Sequence, residues 1–472
     1  MKEKYKLPHI FLIILDCGRQ DRLSCYSYKK HTSPNIDKIA EEATIYKNAI
    51  SVSPWTLPSH ASIFTGTYVS THKTDFGNET LNESFITIAE ALREFGYYTI
   101  GISSNVWISQ RTNLNKGFNF FKNVNVPPFF EKKPPSFLKK FLNICHNFYW
   151  NYYYEKKYDK GAHHANRLLK KIILKTYKEK PLFVFVNYLE CHLPYKPPLQ
   201  FRYQFIEPNY KHLTNKVNQD AYVYMTGKVA MGELDFMILN ALYDAEVKYL
   251  DHKVGELFDF IKNLNIIDNT IFIITSDHGE NIGEHNLMAH QFSVHNTLLK
   301  TPLIIRYPSL FPKATYVDQY VQSIDLFKTL VEVLNIKNSY LSEQLQGKVL
   351  LPECLKNNEN IAYAEYLVPA THLIKKRFPD VDLSQFSSTY RAIFLDQYKY
   401  IDSDKENRLY DLTNDPYEKK DIISHNPEIA TMMKTKINEI RKSLTLNEKP
   451  RNEEKYALDG EIKKALENLG YF

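Results

Sequence analysis

Ile271-Phe-Ile-Ile-Thr-Ser-Asp277-His278-Gly-Glu280 is an apolar, β-branched run that stops at an acid, an imidazole and a glycine. A second run near the start of the chain, Ile10-Phe-Leu-Ile-Ile-Leu-Asp16, has the same form. Residues apolar at consecutive rather than alternate positions are expected of strands covered on both faces, as in a parallel sheet. Parallel strands bring their carboxyl ends to one edge, and in open α/β sheets ligands sit in the crevice outside that edge. The pattern therefore predicts that Asp16, Asp277 and His278 project into one site.

Between the two runs lies Ser53-Pro-Trp-Thr-Leu-Pro-Ser-His-Ala-Ser-Ile-Phe-Thr-Gly66, which adds the hydroxyl of Thr56. Two carboxylates, an imidazole and a hydroxyl suit a divalent transition metal, Mn²⁺ or Zn²⁺, better than Ca²⁺, which prefers oxygen alone. Each piece also has a structural reading. An Asp that ends a strand is often the cap of the next helix, and Asp-His-Gly or a threonine between prolines can be turn chemistry. Their joint occurrence in this order points to a metal-activated hydroxyl nucleophile, with Asp16, Thr56, Asp277 and His278 as the ligand set.

Several ordered stretches resemble the sulfatase and alkaline phosphatase superfamily along the whole chain. They include Asp16-Cys-Gly-Arg-Gln-Asp-Arg-Leu-Ser-Cys-Tyr26, Thr32-Ser-Pro-Asn-Ile-Asp37, Trp55-Thr-Leu-Pro-Ser-His-Ala-Ser62, Thr275-Ser-Asp-His-Gly-Glu-Asn-Ile-Gly-Glu-His285, Thr301-Pro-Leu-Ile-Ile305 and Leu409-Tyr-Asp-Leu-Thr-Asn-Asp-Pro416. The resemblance implies an α/β fold with a large, mostly parallel sheet flanked by helices, alkaline-phosphatase-like, and a smaller C-terminal α+β subdomain. It implies an ester hydrolase or transferase.

The departures from the sulfatase pattern narrow the chemistry. Sulfatases of this kind oxidise a Cys or Ser to formylglycine within Cys-x-Pro-Ser-Arg, where this chain has Thr56-Leu-Pro-Ser-His60. Threonine is a secondary alcohol, so the same oxidation would give a ketone. His60 stands where the family's arginine holds the aldehyde hydrate. After Tyr97-Tyr-Thr-Ile-Gly-Ile102, where many sulfatases have Gly-Lys-x-His, the chain reads Ser103-Ser-Asn-Val106 and lacks both sulfate-binding cations. Branches that keep an unmodified threonine resemble phosphodiesterases, phosphonate hydrolases and phosphotransferases. The expected activity is attack of Thr56 on a phosphoester or phosphodiester. A sulfate-ester hydrolase without formylglycine, or an idle binder of anionic glycan or lipid, are the alternatives.

Proton transfer at a leaving alkoxide would fall to His192, in Glu190-Cys-His-Leu-Pro-Tyr195 after the strand-like Leu182–Asn187, and to His290, at the family's leaving-group position. Asn105, His60 and His285 complete the candidate substrate contacts. Two-metal relatives carry an Asp-x-x-x-His pair where this chain has Asp244-Ala-Glu-Val-Lys248, which favours one ion. Mg²⁺ and Ca²⁺ stay open as alternatives to Mn²⁺ and Zn²⁺. Cys17 occupies the place of a second metal-binding Asp, as a packed thiol or as a thiolate ligand.

The 472 residues are 43% hydrophobic, enough for a large core, and the net charge of +6 is dispersed, so no nucleic-acid module is expected. The partner expected is an anionic ester, glycan- or lipid-linked. No apolar run reaches the length of a membrane span, no secretion signal is evident, and the five cysteines are odd in number and scattered, which together predict a cytoplasmic setting. A catalytic domain is expected over 1–345, with insertions at about 126–160 and 199–233, and a C-terminal subdomain over 385–472 with a small antiparallel sheet and helices. Lysines beside aromatics in the first insertion suggest either peripheral membrane contact or packing on the enzyme's own flank.

Overall fold

The structure is a computed structural model and describes residues 7–124, 159–356 and 358–445. Both runs that opened the sequence are central strands: β1, His9–Leu15, and the later Thr270–Thr275, every residue of each buried. In chain order, Thr44–Ile50 is β2, Tyr98–Ser103 is β3, Phe120–Asn123 is β4, Leu182–Tyr188 is β5 and Thr270–Thr275 is β6. β1 lies between β5 and β6 and is parallel to both, with Leu15 opposite Tyr188 and Ile14 opposite Thr275. β3 and β4 extend the sheet in parallel on the β5 side. Beyond β6 come the antiparallel strand Leu303–Arg306, then β2, then Thr315–Gln322 parallel to β2.

The fold is thus the expected α/β one, with Leu303–Arg306 and the two-residue strand Lys300–Thr301 running antiparallel in a mostly parallel sheet of nine. Both neighbours of β1 run in its direction, so the ends of β1, β3, β5 and β6 open to the same edge. The 31-residue helix Glu233–Asn263 buries one stripe against this layer, and its Asp251 caps Pro34–Ala40 through the backbone amides of Asn35 and Ile36, at 2.9 and 2.8 Å. A closed ladder leaves no polar backbone group unpaired in the core, which is why such β-branched runs can be buried whole.

The smaller unit is a four-stranded antiparallel sheet, Ile361–Tyr366, Tyr390–Leu395, Tyr398–Ser403 and Arg408–Asp411, packed under the helix Pro427–Thr445. Its first strand, Ile361–Tyr366, falls between the two expected units, 1–345 and 385–472. The 199–233 insertion folds as short helices, of which Ala221–Met225 packs against Met288–Ala289 beside His290. Most of the 126–160 insertion and the helix expected near Gly460 to Leu469 lie outside the described residues. Among the described residues no helix is long and apolar enough to cross a membrane.

Candidate active site

Asp16 follows β1 directly, its backbone N–H still in the ladder to the Tyr188 carbonyl at 2.9 Å. Thr56 is the first residue of the helix Thr56–Thr65, all of whose residues are buried and which ends at Gly66 in the left-handed conformation. Pro58 suits this first turn, where its missing N–H has no helical acceptor to lose. Asp277 and His278 follow β6. The structure brings these four together, and each is fully buried.

The polar contacts fix proton positions. His278 Nδ1 lies 2.8 Å from the carbonyl oxygen of Gly279, which can only accept, so Nδ1 carries the hydrogen and Nε2 presents a lone pair. That Nε2 lies 3.2 Å from Thr56 Oγ1 and 3.3 Å from Asp277 Oδ2. Asp277 Oδ1 accepts from the amides of His278 and Cys17 at 2.9 and 3.3 Å. Its Oδ2 has no hydrogen-bond donor among the described residues. Asp16 Oδ2 accepts from Asn105 and Asn187, both at 2.9 Å.

A buried carboxylate oxygen without a donor, set against an imidazole lone pair, is costly unless a cation lies between them. Donors sharing one ion at about 2.0–2.2 Å with near-tetrahedral angles stand about 3.3–3.6 Å apart, which is the spacing of His278 Nε2 and Asp277 Oδ2, 3.3 Å. Asp16, Asp277 and His278 therefore fit a divalent ion, with Thr56 Oγ1 at its edge. Without that ion, burial first and the mutual repulsion of the two carboxylates second push Asp16 up to about 7, and burial raises Asp277 to about 7. Burial holds His278 below its ordinary range.

The remaining candidates take distinct places. Both amide hydrogens of Asn105 are spent, on Asp16 Oδ2 and on Thr56 Oγ1 at 3.3 Å, so it braces Asp16 and Thr56 at once. His60 sits one helical turn beyond Thr56, its Nδ1 donating to the Thr56 carbonyl at 2.9 Å and 3.4 Å from Asp277 Oδ2. Phe64 and Phe185 meet its ring edge-on, and burial lowers it to about 3. His290 donates from Nδ1 to Glu280 Oε1 at 2.9 Å, with its ring 4.5 Å from that of His278. His192 donates from Nδ1 to the Leu193 carbonyl, with its ring 4.9 Å from His290, and burial foremost lowers it to about 3.

His285 belongs to a different group. It stacks on His295 at 3.6 Å, and His295 lies 3.4 Å from Glu418, which Lys399 pairs at 2.6 Å. Asp244 and Lys248 are also elsewhere: Asp244 takes Lys30 and Tyr28, and Lys248 donates to the His31 carbonyl.

Three contributors carried no role in the sequence. Asn187 lies one residue before the end of β5 and Asp16 one residue after the end of β1, and that nearness of both to the strand ends was the available signal. Ser59 donates to the Asp277 carbonyl at 2.7 Å. Glu280 ties His290 to the loop that carries His192, accepting from His290 and from the Leu193 amide at 3.3 Å.

The comparisons with known proteins place the fold and the family. A protein in Escherichia coli (strain K12) named Uncharacterized sulfatase YidJ is 24% identical over 443 residues, covering 89% of this chain and 83% of that one. A structure solved in complex with its substrate D-glucosamine-2-N,6-O-disulfate superposes with a TM-score of 0.72 at 17% identity, over 94% of this chain and 99% of the other. The phosphonate monoester hydrolase of Agrobacterium radiobacter has the same fold, with a TM-score of 0.67 at 18% identity over 93% and 96% of the two chains. The C-terminal model of N-sulphoglucosamine sulphohydrolase matches residues 283–443. With the sulfatase model matching residues 8–336, the chain belongs to the sulfatase family and is an ester hydrolase of that superfamily.

Proposed function

We propose that this chain cleaves or transfers a phosphoester or phosphodiester through Thr56, with one divalent ion held by Asp16, Asp277, His278 and Thr56. The observation that carries the reading is an unmodified secondary hydroxyl 3.2 Å from the lone pair of His278 and 3.3 Å from the amide of Asn105. When bound, the ion lowers the hydroxyl's pKa and offsets the charge of the ester.

Thr56 gives up its hydroxyl proton to solvent, and Oγ1 attacks phosphorus, forming a bond from oxygen to phosphorus as the ester bond to the leaving oxygen breaks. Asn105 holds Oγ1 in line by donating to it. The amino end of the Thr56–Thr65 helix adds positive potential where the transferred group's oxygens gather. His290 carries the proton for the leaving oxygen at Nε2, and Glu280, accepting at Nδ1, stabilises the imidazolium that proton creates. Water or an acceptor alcohol then releases the phosphoryl group from Thr56. His192, ring to ring with His290, lines the same side.

A sulfate-ester hydrolase is the second reading, favoured by the names of the relatives. An assay of the metal-loaded protein on aryl phosphate monoester, aryl phosphodiester and aryl sulfate, with Thr56→Ala as blank, separates the two. Phosphodiester turnover lost by about 10⁴-fold or more in the variant supports the phosphoryl reading. Turnover of the sulfate alone overturns it. Glycan- and lipid-linked phosphodiesters are the natural candidates to follow.

A further inference from the structure

The peptide unit between His192 and Leu193 is held at both ends. Its carbonyl, that of His192, accepts from the Nζ of Lys160, and its N–H, that of Leu193, donates to Glu280 Oε2 at 3.3 Å. In a trans peptide C=O and N–H point in opposite directions, so the two bonds pin the unit from opposite sides. Glu280 Oε1 meanwhile accepts from His290 at 2.9 Å. The ring of His192 thereby has a fixed place beside that of His290, 4.9 Å away.

Lys160 is a buried ammonium with an acceptor for each of its three hydrogens. Besides the His192 carbonyl it donates to the Glu190 carbonyl at 2.8 Å and to Glu246 Oε1 at 3.4 Å, and it lies 6.0 Å from the centre of the Tyr195 ring. A return connection comes from Glu190, whose Oε1 accepts from the Ala162 amide at 3.0 Å, at the start of the helix Ala162–Thr176. Glu246, on the long helix Glu233–Asn263, also accepts from the Lys196 amide at 2.8 Å, so it anchors both the lysine and the far end of the same loop.

Burying an ammonium costs desolvation, and a well-packed apolar side chain in its place is often neutral or stabilising. What the ammonium adds is geometry. It gathers the carbonyls on either side of Cys191 and so sets the turn from which His192 projects.

We propose that Lys160 is a positioning residue for the reaction: it fixes His192 beside His290, with Nδ1 turned to the Leu193 carbonyl, so that Nε2 meets the ester. The inference rests on the phosphoryl-transfer reading above for its kinetic consequence and not for its geometry.

The test compares wild type with Lys160→Met, His192→Ala and the two combined, each metal-loaded, on the aryl phosphodiester with Thr56→Ala as blank. A displacement of about 1 Å can cost about 100-fold in rate. Lys160→Met should therefore lower kcat/KM by about 10- to 100-fold, His192→Ala by at least as much, and the combined variant no further than His192→Ala alone. Metal content per chain should stay as in the wild type. In ¹⁵N-histidine NMR the His192 signals, assigned by their loss in His192→Ala, should shift in Lys160→Met. Losses that multiply, or His192 signals that stay in place, overturn the positioning role and leave the Thr56 reading standing. No turnover, or turnover that survives Thr56→Ala, overturns that reading instead, and the NMR comparison still decides for Lys160. If Lys160→Met fails to fold because Glu246 is left buried without its cation, Lys160→Met with Glu246→Gln removes the pair together and carries the same comparison.

Discussion

The ring of His278 is oriented by its own neighbour, Nδ1 donating to the carbonyl of Gly279 at 2.8 Å. This bond fixes the tautomer, so that Nε2 is the only lone pair the ring can offer, and it makes the conformation of Gly279 part of the metal site.

Gly279 has no room for a side chain. A Cβ there would fall 2.0 Å from the Thr297 carbonyl oxygen, while the Gly279 amide is held by the Leu298 carbonyl at 2.7 Å. Gly279→Ala must move the loop, and with it His278. Metal content per chain, read by mass spectrometry after dialysis, should drop from about one to near zero.

Asn105 and Asn187 both donate to Asp16 Oδ2 at 2.9 Å, yet only Asn105 reaches Thr56. Replacing either by Ala should weaken metal affinity by about 10- to 100-fold, the cost of losing a ligand's supporting partner. At saturating metal Asn187→Ala should recover near-normal kcat. Asn105→Ala should stay depressed by about 10²-fold, as when one preorganised donor is removed. Equal recovery of the two variants would remove Asn105 from the nucleophile's support.

Asp75 lies behind the nucleophile's helix, accepting from the indole of Trp55 at 3.1 Å and from the Phe76 amide at 2.8 Å. Burial, against those two bonds, raises its carboxyl to about 7. A raised acid keeps in the folded state a proton that the unfolded chain has already lost, so stability falls as pH rises from about 4 through about 7. The loss is of the order of 4 kcal/mol. Asp75→Asn keeps an acceptor for Trp55 and should flatten that part of the curve, being more stable than wild type in urea titrations at pH 8.

Lys399 and Glu418, both essentially unexposed, pair at 2.6 Å, and Lys399 also donates to the Val294 carbonyl at 2.7 Å. Lys399→Met would leave Glu418 buried with the Asn296 amide at 2.6 Å and His295 at 3.4 Å to offset its charge, a loss of about 3 kcal/mol. The lysine ammonium, working against burial, holds Glu418 well below the usual carboxylate range. Its contribution is complete above the ordinary carboxyl value and drains away as pH falls, so the variant and wild type should converge in stability on acidification.

The strand ends of the candidate site were legible because chemistry and periodicity coincide there: Asp16 and Asp277 follow apolar runs that form central strands. Thr56 was legible by its place in an ordered motif. Asn187 was not, since an amide at a strand end leaves no charge signature and its meaning comes from lying beside Asp16. The fate of His285 was equally hidden. Its position eight residues from Asp277 suggested the same pocket, but the left-handed turn at His285 and Asn286 sends it to His295 and Glu418. No local pattern ties Glu418 to the metal loop; long-range packing does.

The backbone amide of Glu365 donates to the Val52 carbonyl at 2.9 Å, and the Glu365 carboxylate accepts from the Ser70 amide at 2.9 Å, so the first strand of the small sheet clasps the segment carrying Thr56 on both sides. The part of the gene that encodes the last quarter of the protein is therefore not free to drift away from the part that encodes the nucleophile. A lineage that shortened this chain after the large sheet would inherit every residue of the candidate metal site and still lose the brace on the segment that carries Thr56.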